Sequence, residues 1–355
     1  MADHELLVTG GVDTHKDAHV AAALNQLGRV LGTESFPANA AGYRALLSWL
    51  GRFGPIVTVG IEGTGAWGAG LARHLATRDV DVIEVRRQNR QHRRRHGKSD
   101  PTDAIAAARA VQSGEEHGAA KAANGSVESI RLLQVARRSA MKARTQAANQ
   151  IHAVVDTAPE DLRARFHRTP VHDIAATAAR FHRVPIDSPH AAAKTALRHL
   201  ARRWLDLSDE VAELDRQLDE LTTSTAPTLV AMNGAGTQTA SALLIAAGDN
   251  PERLRSPASF VALCGASPLD ASSGLQQRHR LNRGGDRQAN SALYIIVISR
   301  LRRHQPTQAY TARRIAEGKT RKEAIRCLKL YVAREALQAI RHDLGLNQEA
   351  EPIAA

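Results

Sequence analysis

Two long helix-forming segments in the middle of the chain constrain its fold more than any other feature. Residues 126–158 contain neither glycine nor proline and are rich in Ala, Arg and Gln, which predicts one long helix. A second helix is predicted to begin at Ser188, with serine as N-cap and Pro189 at the first helical position. It carries a heptad seam of apolar residues at alternating steps of four and three: Ala193, Leu197, Leu200, Trp204, Leu207, Val211, Leu214, Leu218 and Leu221. A hairpin within the chain and a coiled coil between protomers are both compatible with this spacing.

The N-terminal part alternates strand-like and helix-like patterns. Short apolar runs within residues 6–36 predict three strands in a meander. Residues 40–52 have helical spacing, and apolar runs at 56–62 and 81–85 predict two strands on either side of an Ala- and Leu-rich helix. This order predicts an α/β domain with a mixed sheet.

The 355-residue chain therefore divides into four predicted regions. These are the α/β domain at 1–124, a helical connector at 125–223, a basic and mostly helical segment at 224–346, and a polar tail at 347–355.

The charge of the chain favours a polyanionic partner. It has 48 Lys and Arg against 36 Asp and Glu, a formal net charge of +12, which indicates nucleic acid. The cysteines, Cys264 and Cys327, are far apart and form no CxxC, so a disulfide framework or a cysteine zinc site is not expected. With neither a long apolar run nor a basic and apolar leader, the expected location is the cytoplasm, without membrane contact.

Four carboxylates stand where they can share one site. Asp13 follows the first predicted strand and Glu62 ends the fourth, while Asp100 and Asp103 are three apart on one face of a helix. Taken alone, Asp100 before Pro101 is predicted to be an N-cap, with Asp103 complementing the helix dipole. Together the four acids would repel one another unless divalent cations lie among them. Two Mg²⁺ ions held by such oxygens would suit phosphoryl transfer.

A basic run leads directly into these acids and could hold a phosphate backbone against them. Its cations are Arg86, Arg87, Arg90, Arg93, Arg94, Arg95 and Lys98, with His92 and His96 among them. Acids and cations together predict a nuclease-like site.

Three other motifs have weaker functional interpretations. Gly63, Gly65 and Gly68 have G-x-G-x-x-G spacing, but the preceding Glu62 would repel a pyrophosphate, so a tight turn is favoured over dinucleotide binding. Gly234 and Gly236 fit either a phosphate-binding helix-hairpin-helix turn or an ordinary connection. The pairs His15/His19 and His92/His96 are four apart but lack an H-E-x-x-H core, which favours surface or phosphate-adjacent roles over zinc binding.

A serine-glycine loop among arginines offers a candidate nucleophile. Ser272, Ser273 and Gly274 lie close in sequence to Arg278, His279, Arg280, Arg283 and Arg287. Such a loop is by default a turn. A serine hydroxyl there could instead attack a phosphodiester, because the cations offset charge in the transition state.

Five motifs, in order and spacing, resemble the DEDD transposases of the insertion-sequence-110 family. They read GVDTHKDAH, GIEGTGAWG, KSDPTDA, ASPLDASSG and LNRGGDRQANSALY. The resemblance implies a RuvC-like, RNase H-type N-terminal domain with its acids at Asp13, Glu62, Asp100 and Asp103, a coiled-coil connector, and a C-terminal transposase domain with Ser273 as nucleophile. Because the serine is doubled, Ser272 stays a minor alternative.

The resemblance also implies a recombinase that joins donor and target DNA through a covalent serine-DNA intermediate and is directed by a structured RNA of its own element. We expect RNA contacts at 86–98 and around Arg137, Arg138 and Arg144, and phosphate contacts at Arg280 and Arg283. A homo-oligomer, dimer or tetramer, is predicted, with carboxylates and serine supplied by different protomers. A Holliday-junction-type endonuclease that uses the same acids with water, and a non-catalytic RNA/DNA-binding protein, are the alternatives.

Overall fold

The N-terminal domain contains a five-stranded mixed sheet. The computed structural model describes residues 7–85, 99–114, 118–254, 256–270, 279–280, 282 and 284–345. The strands are β1 (Val8–Thr14), β2 (Ala18–Asn25), β3 (Val30–Pro37), β4 (Ile56–Glu62) and β5 (Val82–Val85), in the order β3-β2-β1-β4-β5. The first three form an antiparallel meander, whereas β4 and β5 run parallel to β1. The predicted meander and mixed sheet are confirmed.

The two faces of the sheet are covered by different helices. Helices α1 (Ala40–Gly51) and α2 (Ala69–Ala76) pack on one face, in a core that contains Val8 and Val12 of β1. Helix α3 (Asp100–Gln112) packs on the opposite face. Because side chains alternate along a strand, Asp13 shares the α3 face.

Helix α3 lies unusually close to the sheet because two glycines face it. Gly11 of β1 and Gly60 of β4 are side by side in the register. A Cβ built at Gly11 would lie 2.2 Å from the carbonyl oxygen of Ala104, and one at Gly60 would lie 2.8 Å from that of Ala107. The alanine-rich face of α3 therefore rests on the main chain of the sheet.

The middle of the chain forms an antiparallel helical hairpin. Helix α4 (Ser126–Thr157) is followed by the short helices α5 (Glu160–Phe166) and α6 (Val171–Ala178), and then by α7 (Pro189–Thr225). Ser188 caps α7 as predicted, since its Oγ accepts the N–H of Ala191 at 3.2 Å.

The heptad seam of α7 packs within one chain. Leu197 is fully buried in a core with Ile151 at the tip of the hairpin, and Leu218 is fully buried in a core with Ile130 at its base. The intramolecular hairpin is therefore the observed alternative, and this seam gives no support to pairing of protomers.

The C-terminal part is mainly helical, as predicted. It contains α8 (Pro227–Ala231), α9 (Thr237–Ala247), a 3₁₀ turn (Pro251–Arg253), α10 (Pro257–Leu263), α11 (Arg287–Arg303), α12 (Gln305–Ala316) and α13 (Arg321–Asp343). A short antiparallel pair, β6 (Leu269–Asp270) and β7 (His279–Arg280), lies between α10 and α11. None of the helices within the described ranges is long and apolar enough to cross a membrane.

The Gly234–Gly236 region forms an ordinary connection between α8 and α9. The N–H of Gly236 donates to Thr239 Oγ1 at 3.0 Å, and Gly234, at φ +77°, packs against the Ile296 carbonyl. The Gly236 amide is therefore already bonded within the protein, which weakens the phosphate-binding alternative.

The N- and C-terminal parts are joined by the segment that precedes α4. Its residue Ala120 donates its N–H to the Val82 carbonyl of β5 at 3.0 Å. Asn250 then bonds the same segment from the C-terminal side, to the Ala120 carbonyl and the Ala122 N–H, both at 2.9 Å. These bonds fix the base of the hairpin between the two parts.

Candidate active site

Asp13 and Asp100 approach each other across the interface between sheet and α3. Asp13 is buried in β1, one residue before its end, and Asp100 is the first residue of α3. The predicted capping role of Asp100 is wrong. Ser99 is the N-cap, because its Oγ accepts the N–H of Thr102 at 3.4 Å, and the Asp100 carboxylate faces the site instead.

His15 connects the two carboxylates. Its Nε2 lies 3.2 Å from Asp13 Oδ2 and 3.4 Å from Asp100 Oδ1. One donor atom from each of these three residues lies within 4.8 Å of the others. Two oxygens and one imidazole nitrogen thus converge on a volume that fits one divalent cation.

The electrostatics of Asp13 reflect this crowding. Burial raises the pKa of the Asp13 carboxyl, and His15 opposes that rise. The negative charges of Asp103 and Asp100 raise it further. Among the residues that the structure describes, burial and the neighbouring acids therefore disfavour ionised Asp13, and a bound cation would favour it.

The remaining two predicted acids hold different positions. Asp103 is buried one helical turn after Asp100 and acts on Asp13 through its charge. Glu62 ends β4, beside the end of β1, where Thr14 Oγ1 donates to its backbone carbonyl at 2.8 Å. Among the side chains that the structure describes, the close donor group holds Asp13, His15 and Asp100, without Glu62 or Asp103.

The two N-terminal histidines, for which surface or phosphate-adjacent roles are expected, lie in different surroundings. His19 is fully buried and stacks on Tyr43 with ring centroids 5.7 Å apart, and burial lowers its pKa, so it is a neutral core residue. His15 contacts the acids. The sequence signal for this contact was the position of His15 two residues after Asp13 at the end of a strand. The four-residue spacing of His15 and His19 did not reveal it.

The glycine-rich motif after β4 forms a tight turn beside the site. Gly63 has φ +75°, and its carbonyl accepts the N–H of Ala66 at 2.9 Å and of Gly68 at 3.2 Å. The turn presents Trp67, whose ring centroid is 6.4 Å from that of His15. The motif thus has the favoured turn geometry.

The candidate nucleophile and most predicted phosphate-binding residues lie outside the described part of the chain. These are Ser272, Ser273, Arg283 and the run Arg86, Arg87, Arg90, Arg93, Arg94, Arg95 and Lys98. For Arg280 the structure describes the backbone, which pairs with Leu269.

The two ends of the serine-bearing segment are hydrogen-bonded to each other. The N–H of Asp286 donates to the Leu263 carbonyl at 2.7 Å, which joins the two ends of the segment. Asn290 Nδ2 donates to the carbonyls of Cys264 and Gly265 at 2.8 and 2.9 Å. The buried Lys329 donates to Asn290 Oδ1 at 2.9 Å and holds this amide in place. The base of the segment is therefore held by main-chain and buried polar bonds.

The predicted RNA-contacting arginines of α4 are partly engaged within the protein. Arg137 forms an ion pair with Asp215 of α7, and Arg138 Nε donates to the Gln134 carbonyl at 3.0 Å. Arg144 contacts Met141 Sδ at 3.1 Å. Arg137 and Arg138 also line a cleft of about 480 Å³ between the turn after β4, α4 and the C-terminal part.

Family comparisons agree with this architecture. Residues 10–158 match the profile of the DEDD transposase domain of IS110 elements, and residues 226–312 match that of the transposase IS116/IS110/IS902 family. A search of curated proteins found no match. The two profiles together span more than half of the chain, on either side of the hairpin tip, and the mixed sheet followed by a helical part is consistent with a RuvC-like domain plus a helical domain. DNA is the substrate class that this assignment implies, and the chain belongs to the IS110 family of transposases.

Proposed function

We propose that this transposase cuts and rejoins DNA through a covalent intermediate on Ser273, with Asp13, Glu62, Asp100 and Asp103 as a cation-binding tetrad. The observation that carries the proposal is the convergence of Asp13 and Asp100, with Asp103 close enough to raise the pKa of Asp13. Acids placed by different elements, one of them buried with a raised pKa, are typical of a functional site.

Asp13 and Asp100 would hold a divalent cation, with His15 as a further donor. Mg²⁺ suits the carboxylate oxygens, and when bound it would offset charge that develops on the phosphate oxygens. In our proposal Asp103 and Glu62 complete the tetrad from the same helix and from the neighbouring strand.

The serine step exchanges one phosphodiester bond for another and therefore needs no external energy source. The Ser273 hydroxyl would lose its proton as Oγ bonds to phosphorus, while the bond from phosphorus to one deoxyribose oxygen breaks and that oxygen takes up a proton. In rejoining, a hydroxyl of the second strand attacks the same phosphorus and releases the serine. Arg280 and Arg283 are proposed phosphate contacts for this step.

A covalent adduct tests the nucleophile. With DNA of the element, wild-type protein should give a slow-migrating, protease-sensitive DNA band that Ser273→Ala abolishes. Ser272→Ala is the matched control and should keep the band. Metal-dependent cutting without any adduct would favour the junction endonuclease, which uses water with the same acids.

Asp13→Asn tests the tetrad. It should abolish cutting while leaving DNA binding intact or tighter, because one negative charge near the phosphates is removed. Full cutting by this variant, or by wild type in EDTA, would contradict the cation site.

The structured guide RNA is proposed from the family and from the net charge of +12. Protein purified from its native host without nuclease should carry one dominant RNA species. Random fragments, with recombination unaffected by RNase, would contradict guidance.

A dimer or tetramer with a shared site is proposed because joining two duplexes needs two active sites. The heptad seam no longer supports it, since α7 packs on α4 within the chain. Mixing Asp13→Ala with Ser273→Ala protein should restore part of the activity if each site takes its acids from one protomer and its serine from another. No recovery after verified subunit exchange would favour a site built in one chain.

A further inference from the structure

Trp67 is the most exposed of the three tryptophans in the chain. Its side chain is 57% exposed, whereas Trp49 is 7% exposed and Trp204 packs in the core at the hairpin tip. A tryptophan buries more apolar surface than almost any other residue, so leaving one in water forgoes a large hydrophobic gain. Tryptophan is enriched at binding interfaces, where one end of its ring is apolar and the other meets water.

The turn that carries Trp67 is fixed at both ends. The Gly63 carbonyl accepts the Gly68 N–H, and a Cβ built at Gly68 would lie 2.9 Å from a side-chain carbon of Ile61. Thr64, next to Gly63, is buried. The indole is therefore presented by a closed turn at a defined place.

That place is the rim of the acidic site. The Trp67 ring centroid lies 6.4 Å from that of His15, with the rings tilted by 42°. His15 in turn lies within 3.4 Å of both Asp13 and Asp100. The separation is at the long end for paired aromatic rings, so His15 leaves most of the indole surface accessible.

The surrounding charge indicates which part of a nucleic acid would meet this indole. In the proposed function the phosphate meets the cation held by the carboxylates, whereas the uncharged indole beside them suits the flat face of a base. Bases within a duplex are already stacked on their neighbours, so the available face belongs to an unpaired base.

We propose that Trp67 is a stacking platform for one unpaired nucleobase of the DNA strand beside the cleavage position. The inference rests on the proposed function, because it assumes that DNA reaches the acidic site. Trp67 is a positioning residue: stacking fixes the register of the strand relative to Asp13 and Asp100.

The test uses the full-length protein, with any RNA that copurifies with it, and a gapped DNA duplex. Each thymine of the single-stranded gap is replaced in turn by 5-iododeoxyuridine, which crosslinks to a stacked aromatic ring under ultraviolet light. Mass spectrometry should identify the Trp67 peptide as the main crosslink, at one or two adjacent positions of the gap.

Binding measurements provide the second readout. Trp67→Ala should weaken binding of the gapped DNA roughly 5- to 150-fold, the range for loss of one stacked base, whereas Trp67→Phe should keep most of the affinity. Val57→Ala is the matched control, because Val57 is 49% exposed near the opposite end of β4. An abasic site at the crosslinked position should weaken wild type to the level of Trp67→Ala and leave that variant unchanged.

The outcomes separate the two proposals. If wild type binds and cuts DNA, but Trp67→Ala binds equally well and the crosslink lies elsewhere, the stacking inference is wrong and the proposed function stands. If wild type binds no DNA, both the stacking inference and the proposed function are wrong. If Trp67→Ala changes the oligomeric state without changing DNA affinity, the indole packs against a second copy of the chain, which also overturns the inference.

Discussion

Gly11→Ala tests whether main-chain contact between β1 and α3 sets the spacing of the acids. The added Cβ would lie 2.2 Å from the Ala104 carbonyl oxygen and 2.3 Å from the Ala108 nitrogen, and both are backbone atoms that cannot rotate away. Real Cβ contacts are essentially never under 3.0 Å, so α3 must retreat by about 1 Å. Overpacking of this kind costs about 1–3 kcal/mol of unfolding free energy.

The same displacement should reach the active site. Asp100 begins α3, so the shift moves its carboxylate away from His15 and Asp13. A displacement of about 1 Å in a catalytic group lowers rates by roughly a hundredfold. We therefore expect Gly11→Ala to fold with reduced stability in urea and to lose about two orders of magnitude in DNA cutting.

Gly51→Ala is the matched control. Gly51 ends α1 in ordinary helical conformation, and a Cβ there meets nothing within 4 Å. This change should leave cutting unchanged and add up to about 1 kcal/mol of stability, because alanine favours the helix. Wild-type stability and cutting in Gly11→Ala would refute the close approach of α3 and the positional role assigned to it.

Three further predictions follow from the described contacts. The pKa of Asp13 is raised in the folded protein, so the contribution of this carboxyl to stability falls as pH rises from 3.8 through the folded pKa. Asp13→Asn should therefore raise the Tm of cation-free protein at pH 7. A divalent cation at a hundred times its Kd should stabilise wild type by about 2.7 kcal/mol and the variant far less, and an equal cation effect in thermal melts would contradict this. Asn290→Ala should lower unfolding free energy by about 2 kcal/mol and reduce the serine adduct more than DNA binding, whereas equal losses would argue against a positioning role. Burial raises the pKa of Cys264 to about 12, so a thiol reagent at pH 8 should label Cys327 first, and rapid labelling of both would contradict the packing.

Sequence patterns predicted the secondary structure well because periodicity and caps act locally. The meander, the long helix at 126–157 and the Ser188 cap all follow from neighbours in sequence. The N-cap of α3 was assigned to the wrong residue because Ser99 and Asp100 are adjacent and both are good capping residues. Ser99 caps the helix, and the Asp100 carboxylate contacts His15 instead.

Features that depend on tertiary contact were harder to find. His15 joins the acids only because α3 returns to the end of β1, which histidine spacing does not encode. The heptad seam fits a partner from the same or another chain, and only the fold shows that α4 occupies it. Gly11 inside a strand was a usable signal for close backbone approach.

The helical hairpin extends far from the junction between the N- and C-terminal parts, to which its base is tied. Helix α4 has 32 residues and is about 48 Å long. At its base the Val127 N–H donates to Asp249 Oδ1 at 2.9 Å, next to the bonds that tie β5 to the C-terminal part. A force applied at the remote tip, formed by α5 and α6, therefore acts through a long arm on the segment that ties β5 to the C-terminal part.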